Sequence, residues 1–248
     1  MTSERADRQL DAMAEAFVSS VLDLNPQIAV FDCDGTLWAG DSGADFLYWE
    51  IERGLLPKPV AEWARKRYDE YLAGNVSELD ICGEMVTIHK GILEEKIAFA
   101  ATDFFDSIVA PRIFAEMREL VQQLNQQGCQ TWAVSSTNEW VVRAGARRFG
   151  IPAERVLAVS VDIENGFVTD RLLEVPTDEG KAASIRVHIL GQPHVVFGNS
   201  VHDEAMLELA GSAFAVNPNP DLAATAHERK WTIYWPMMVR QSSRPRSQ

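Results

Sequence analysis

Two carboxylates open the chemistry. Asp32 and Asp34 flank Cys33 and follow the apolar run Ile28-Ala29-Val30-Phe31. In an extended segment alternate side chains share a face, so both carboxyls meet one site. One can attack an electrophile while the other, held slightly away, gives or takes a proton. A carboxylate attacks a dianionic phosphate poorly unless a cation screens the repulsion. Mg²⁺ does so with carboxylate oxygens and several retained waters. Gly35 permits a sharp turn after the strand, and Thr36 can hydrogen-bond a phosphate oxygen or cap that turn. Alone, the pair also reads as ordinary turn residues, because Asp favours turns.

Three further groups stand at comparable places. Ser135-Ser136-Thr137-Asn138 follows the apolar Ala133-Val134. Ser135 and the amides opening the next helix can seat an anion, although a serine there also serves as a plain helix cap. Lys181 lies in the first turn of a predicted helix, where it is a fixed positive charge for an oxyanion or simply a solvated residue. Gly198-Asn199-Ser200-Val201-His202-Asp203 ends a later strand, with Asn199 and Asp203 also readable as turn and first-turn helix residues. Carboxylates, a hydroxyl and a lysine converging on one edge suit a metal-assisted reaction on an oxyanion.

The elements that must position these groups alternate. Residues 10–24 have helical spacing and stop before Pro26, and Ile28 to Phe31 has the pattern of a strand buried on both faces. Residues 43–108 contain helix-like segments broken at Gly54 to Pro59, Gly74-Asn75 and Lys90-Gly91, with no strand pattern. From Pro111 a helix to Gln127 precedes a strand over Gln130 to Val134, then a helix over Glu139 to Phe149 and a strand over Val156 to Val161. Asn165-Gly166 signals a two-residue hairpin. Helices over 179–190, 201–210 and 219–228 then alternate with strands over 194–197, 213–216 and 231–234. Such alternation predicts an α/β fold with a doubly wound parallel sheet, whose ligands bind outside the carboxyl ends of the strands. The expected division is a core of 1–40 and 109–240, an inserted all-helical cap of 41–108, and a polar, frayed tail over 241–248.

Composition sets outer bounds. The chain has 248 residues, 46% hydrophobic and 24% charged, with a formal net charge of −13. That is a globular composition, and its acidity argues against a dedicated nucleic-acid binder. Cys33, Cys82 and Cys129 are far apart and form no Cys-x-x-Cys pair, which points to a reducing cytoplasm. No apolar run approaches the ~18 residues of a membrane span.

Phe31-Asp32-Cys33-Asp34-Gly35-Thr36-Leu37 resembles motif I of the haloacid-dehalogenase superfamily. Val134-Ser135 resembles its motif II, Lys181 its motif III, and Gly198-Asn199-x-x-x-Asp203 its motif IV. The Ser-Ser pair, the Gly-Lys pair and the helical insert resemble the phosphoserine-phosphatase-like branch, with a helical cap of the first type. The resemblance implies a Rossmann-like core and Mg²⁺-dependent hydrolysis of a small phosphorylated metabolite through an aspartyl phosphate, by a monomer or homodimer. It also implies roles. Asp32 is nucleophile and metal ligand, and Asp34 is acid/base with its carbonyl on the metal. Ser135, Ser136, Gly35 and Thr36 lie at the phosphoryl group, and Lys181 pairs with phosphate and Asp32. Asn199 and Asp203 complete the metal set, Asp203 by orienting waters or Lys181. Asn199 departs from the usual Asp, which implies weaker Mg²⁺ binding. The second aspartate argues against a dehalogenase. A phosphotransferase or phosphomutase of the same superfamily, and a non-catalytic phosphate-binding regulator, remain alternatives.

Asp41 matches by spacing a glutamate that recognises the substrate's amino group in phosphoserine phosphatases, and it equally suits the cap of a helix starting near Ser42. An Asp in the recognition role implies an amino-bearing phosphoester. Trp38 and Trp49 are read as packing residues before an aromatic cage. No histidine has metal-ligand spacing, and Arg143, Arg147 and Arg148 form a solvated face or send one member to the phosphate.

Overall fold

The computed structural model describes residues 2–242. Seven strands form one sheet: β1 (Ile28–Phe31), β2 (Gln130–Asn138), β3 (Val156–Glu164), β4 (Phe167–Glu174), β5 (Val195–Gly198), β6 (Ser212–Val216) and β7 (Thr232–Tyr234). Their order is β4-β3-β2-β1-β5-β6-β7. All neighbours are parallel except β3 and β4, which pair antiparallel across Asn165-Gly166. Both turn residues have positive φ, 53° and 83°, as a type I′ hairpin needs. The sheet is therefore a parallel core with one antiparallel edge. The chain moves from β1 to one side and returns to the other at β5, so the topological switch point lies beside β1.

All four residues of β1 are buried. Phe31 points into one core, stacked on Phe197 at 4.4 Å, while its neighbour Val30 packs in the opposite core with Trp132 and Ile185. The fully apolar strand thus follows from helices covering both faces. These helices are α1 (Thr2–Leu22), α6 (Ala115–Gln126), α7 (Glu139–Ala146), α8 (Glu179–His188), α9 (Glu204–Leu207), α10 (Pro220–Arg229) and α11 (Met237–Ser242).

Between β1 and α6 the described chain is helical apart from its turns and isolated bridges: α2 (Ser42–Glu52), α3 (Lys58–Leu72), α4 (Glu78–Thr87) and α5 (Glu94–Phe104), followed by a π-helical stretch, Phe105–Val109. Leu47, Leu56, Ala64 and Ile88 form a small core of its own. Phe46, Trp49 and Phe104 instead join the main core. Trp38 and Trp49 are buried packing residues and form no aromatic cage.

The structure departs from the sequence expectations at element ends. Strand β2 runs on through Ser135-Ser136-Thr137-Asn138, because pairing with β3 resumes at Asn138 after a register shift. The helix expected over 201–210 shrinks to a 3-10 turn, Val201–Asp203, and α9, since Ser200 and Asp203 cap each other reciprocally. Gln241 and Ser242 belong to α11, and the rest of the expected tail lies outside the described residues. No helix among the described residues is long and apolar enough to cross a membrane.

Candidate active site

The carboxyl end of β1 delivers Asp32, 5% exposed. Its Oδ1 accepts from Lys181 Nζ at 2.7 Å and its Oδ2 from Thr36 Oγ1 at 2.8 Å. Thr36 is fully buried, and its hydroxyl proton is directed at the Asp32 carboxylate. Burial, with Asp203 nearby, raises the Asp32 carboxyl to about 7 against the pull of Lys181 and Thr36.

Lys181 is 3% exposed in the first turn of α8. Its ammonium also donates to Asp203 Oδ1 at 2.6 Å. Burial opposes that charge, yet the two carboxylates hold the ammonium above its ordinary value. Asp203 Oδ2 accepts the backbone N–H of Asn199 at 2.8 Å and of Ser200 at 3.0 Å. With no exposure and both oxygens engaged, Asp203 is placed to hold Lys181 and the 199–200 turn, not to coordinate a metal directly. Gly198 is required beneath it, since a Cβ there would lie 2.6 Å from the Asp203 Cβ.

Asp34 is held from three directions. Its Oδ1 accepts the Trp38 indole N–H at 2.6 Å and the Ser42 amide at 2.8 Å, and its Oδ2 accepts Thr137 Oγ1 at 2.8 Å. Ser42 opens α2 and Thr137 lies on β2, so this carboxylate ties the helical segment to the sheet. Neither the Trp38 N–H nor the Thr137 hydroxyl carries a sequence signal for this role.

A single cavity of about 290 Å³ opens over these groups. Ser135 and Ser136 line it, with Ser135 Oγ accepting the Thr137 amide at 3.2 Å and Ser136 Oγ donating to Pro176 O at 3.3 Å. His202 also lines it, with Nδ1 2.7 Å from Asp178 Oδ1. Asp178 has φ +49°, a strained backbone for a non-glycine residue immediately before α8. Arg143, Arg147 and Arg148 do not line this cavity, and they pair with Glu139, Thr102 and Asp106.

Asp41 lies at the cavity and caps α2, its Oδ1 accepting from the Ala44 amide at 2.9 Å. Its Oδ2 accepts from Tyr68 Oη at 3.3 Å. Surrounding protein, with Asp34 close by, raises its carboxyl to about 6 although solvent in the cavity reaches it. Tyr68, Tyr71, Glu50 and Glu78 face the same cavity from α2, α3 and α4 and had no distinguishing sequence signal.

Among the described residues no three His, Cys, Asp or Glu side chains converge as a metal cluster. What remains is the Asp32 carboxylate, the Asp34 carbonyl, which accepts no backbone hydrogen bond from the described residues, and the Asn199 amide. Asn199 lies directly over Gly35, where a Cβ would come 1.9 Å from its Nδ2, so the missing side chain of Gly35, whose φ is +77°, leaves room for Asn199. Hard oxygen donors with only one carboxylate fit an ion that keeps several waters and shares a substrate phosphate.

The profile of the haloacid dehalogenase-like hydrolases matches residues 29–208. A phosphoserine phosphatase of Mycobacterium tuberculosis is 28% identical over 232 residues, covering 87% of this chain and 73% of that protein. A probable phosphatase of the same species is 30% identical over 213 residues, covering 83% and 74%. A Bordetella pertussis protein of unknown function shares the fold, with a TM-score of 0.71 at 23% identity over 84% of this chain and 97% of that one. With the strand-end carboxylates, lysine and serine at one cavity, these matches show that the chain belongs to the haloacid dehalogenase-like hydrolases, as a phosphatase-like member of that family.

Proposed function

We propose that this hydrolase is a Mg²⁺-dependent phosphatase that cleaves a small phosphomonoester through an aspartyl phosphate on Asp32. The observation that supports it most is the Asp32–Lys181–Asp203 chain, with Asp34 opening to the same cavity. Asp32 attacks phosphorus as the bond to the alcohol oxygen breaks, and Asp34 gives that oxygen its proton. Asp34 then takes a proton from water, whose oxygen attacks the aspartyl phosphate, releasing phosphate and restoring the Asp32 carboxylate. Lys181 neutralises phosphoryl charge, and Ser135 and Ser136 seat the oxygens. Asp32, the Asp34 carbonyl and Asn199 would hold Mg²⁺, which supplies charge neutralisation when bound.

In this reading residues 41–108 act as a cap over a core of 1–40 and 109–240, and the cap sets specificity, since the sheet residues see only the phosphoryl group. Asp41 favours an amino-bearing ester. The free thiols Cys33, Cys82 and Cys129 suit a reducing cytoplasm. The test is phosphate release from a phosphomonoester panel with and without Mg²⁺, beside trapping with beryllofluoride. A stoichiometric Asp32 adduct and Mg²⁺-dependent release are expected. Neither adduct nor release would leave a non-catalytic phosphate binder.

A further inference from the structure

The cap side of the cavity presents hydrogen-bond acceptors and commits its side-chain donors to its own carboxylates. Tyr68 donates to Asp41, Tyr71 donates to Glu78, and the Cys82 thiol lies 3.7 Å from Glu78 Oε1. Glu50 adds a further acceptor. Its side chain is 3% exposed, and Oε2 lies 2.8 Å from His89 Nε2. The other His89 nitrogen faces the Val86 carbonyl at 3.0 Å and must carry a hydrogen. The proton between Nε2 and Oε2 sits on one or the other, and in both cases Oε1 is an acceptor. Glu50 lines the cavity, and among the described residues none donates a hydrogen bond to its Oε1.

The basic side chains on the cavity wall are Lys181 and His202. Lys181 is already bonded to Asp32 and Asp203, and His202 to Asp178. A carboxylate on the substrate would therefore meet Asp41, Glu50 and Glu78 with no free side-chain donor on the cap. A cationic nitrogen would meet three acceptors and the tilted rings of Tyr68 and Tyr71, whose centroids are 5.6 Å apart.

Building on the phosphatase reading, we infer that the substrate's alcohol half carries a cationic nitrogen and no carboxylate. It is an amino-alcohol phosphate and not a phosphorylated amino acid. The carboxylate-bearing ester is excluded by the like charge of Asp41 and Glu78 and by the lack of a free side-chain donor on the cap, and the ammonium is selected by the same groups.

The test compares kcat/KM for phosphoethanolamine, phosphocholine, phosphoserine, glycerol 3-phosphate and p-nitrophenyl phosphate. At least one of the first two should exceed both phosphoserine and glycerol 3-phosphate by roughly tenfold or more. Phosphoserine at or above the amino-alcohol esters, or no advantage over glycerol 3-phosphate, overturns the inference while leaving the phosphatase intact. Failure on every ester, p-nitrophenyl phosphate included, overturns the phosphatase reading itself. In Glu78→Gln the ratio of the preferred ester to p-nitrophenyl phosphate should fall roughly tenfold, and equal loss on both counts against the inference. Glu78→Lys, which adds a donor to that wall, should shift preference toward phosphoserine, and an unmoved preference also counts against it.

Discussion

The indole N–H of Trp38 donates to the Asp34 carboxylate at 2.6 Å from a ring that is wholly buried. That ring meets Phe105 edge-on at 5.1 Å and fills space left by Gly145, where a Cβ would lie 2.7 Å from it. The aim of the proposed acid/base is thus set by packing between the π-helical stretch and α7. Trp38→Phe keeps an aromatic ring and removes the donor. A buried hydrogen bond to a charged group is worth about 1.5–3 kcal/mol, so kcat should fall roughly tenfold or more with KM changed far less. Unchanged kcat in a folded variant would show that Asp34 is aimed by Ser42 and Thr137 alone.

Gly35→Ala addresses the contact beneath Asn199. The new methyl would need to sit 1.9 Å from Asn199 Nδ2 and 2.6 Å from its Cγ, on a backbone with φ +77°. Left-handed backbone alone costs about 1–2 kcal/mol for an alanine, and displacing Asn199 adds to it. The expected outcome is a melting temperature lower by roughly 2–8 °C and a higher Mg²⁺ requirement together. A stability loss with unaltered metal dependence would separate Asn199 from the metal.

Asn199→Asp tests that separation from the other direction. If Asn199 is a neutral ligand, the added charge should lower the Mg²⁺ concentration giving half-maximal activity. An unchanged concentration means that position 199 does not touch the ion.

Much of the floor of the site was legible because strands deliver their ends to one edge. Asp32 and Asp203 follow the ends of β1 and β5, Ser135 lies in the last residues of β2, Lys181 opens α8, and the apolar pattern of Ile28 to Phe31 places the first. Thr36 was legible as a polar turn residue, but its hydroxyl could turn to a ligand or back to Asp32, and only the folded turn decides. Ser135 to Asn138 reads as a loop from composition, and its strand character comes from pairing with β3. Tyr68, Tyr71, Glu50 and Glu78 were not distinguishable, because each is an ordinary polar position on a helix. Their convergence arises from how three helices pack, which local periodicity does not encode.

Asp41 yields the last prediction, since it both caps α2 and lies at the cavity. One oxygen caps α2 and the other faces Tyr68 at the cavity. Its carboxyl is raised to about 6, chiefly by burial and by Asp34, so it is ionised above that pH and neutral below. For folding, this raised value means that ionisation is disfavoured in the native state, so its contribution to stability declines as pH rises from about 4 to 6. For binding the sign is opposite. The charge that attracts an ammonium is lost as pH falls through about 6, so KM for a cationic ester should rise on that side more steeply than KM for p-nitrophenyl phosphate. Asp41→Asn should remove this difference between the profiles and raise KM for the cationic ester, relative to p-nitrophenyl phosphate, by roughly one to two orders of magnitude, about 1.4–2.8 kcal/mol. Asparagine retains a cap for α2, so a purely structural role predicts a small and equal effect on both substrates. Parallel pH profiles in the wild type, or equal losses in the variant, would restrict Asp41 to holding the helix.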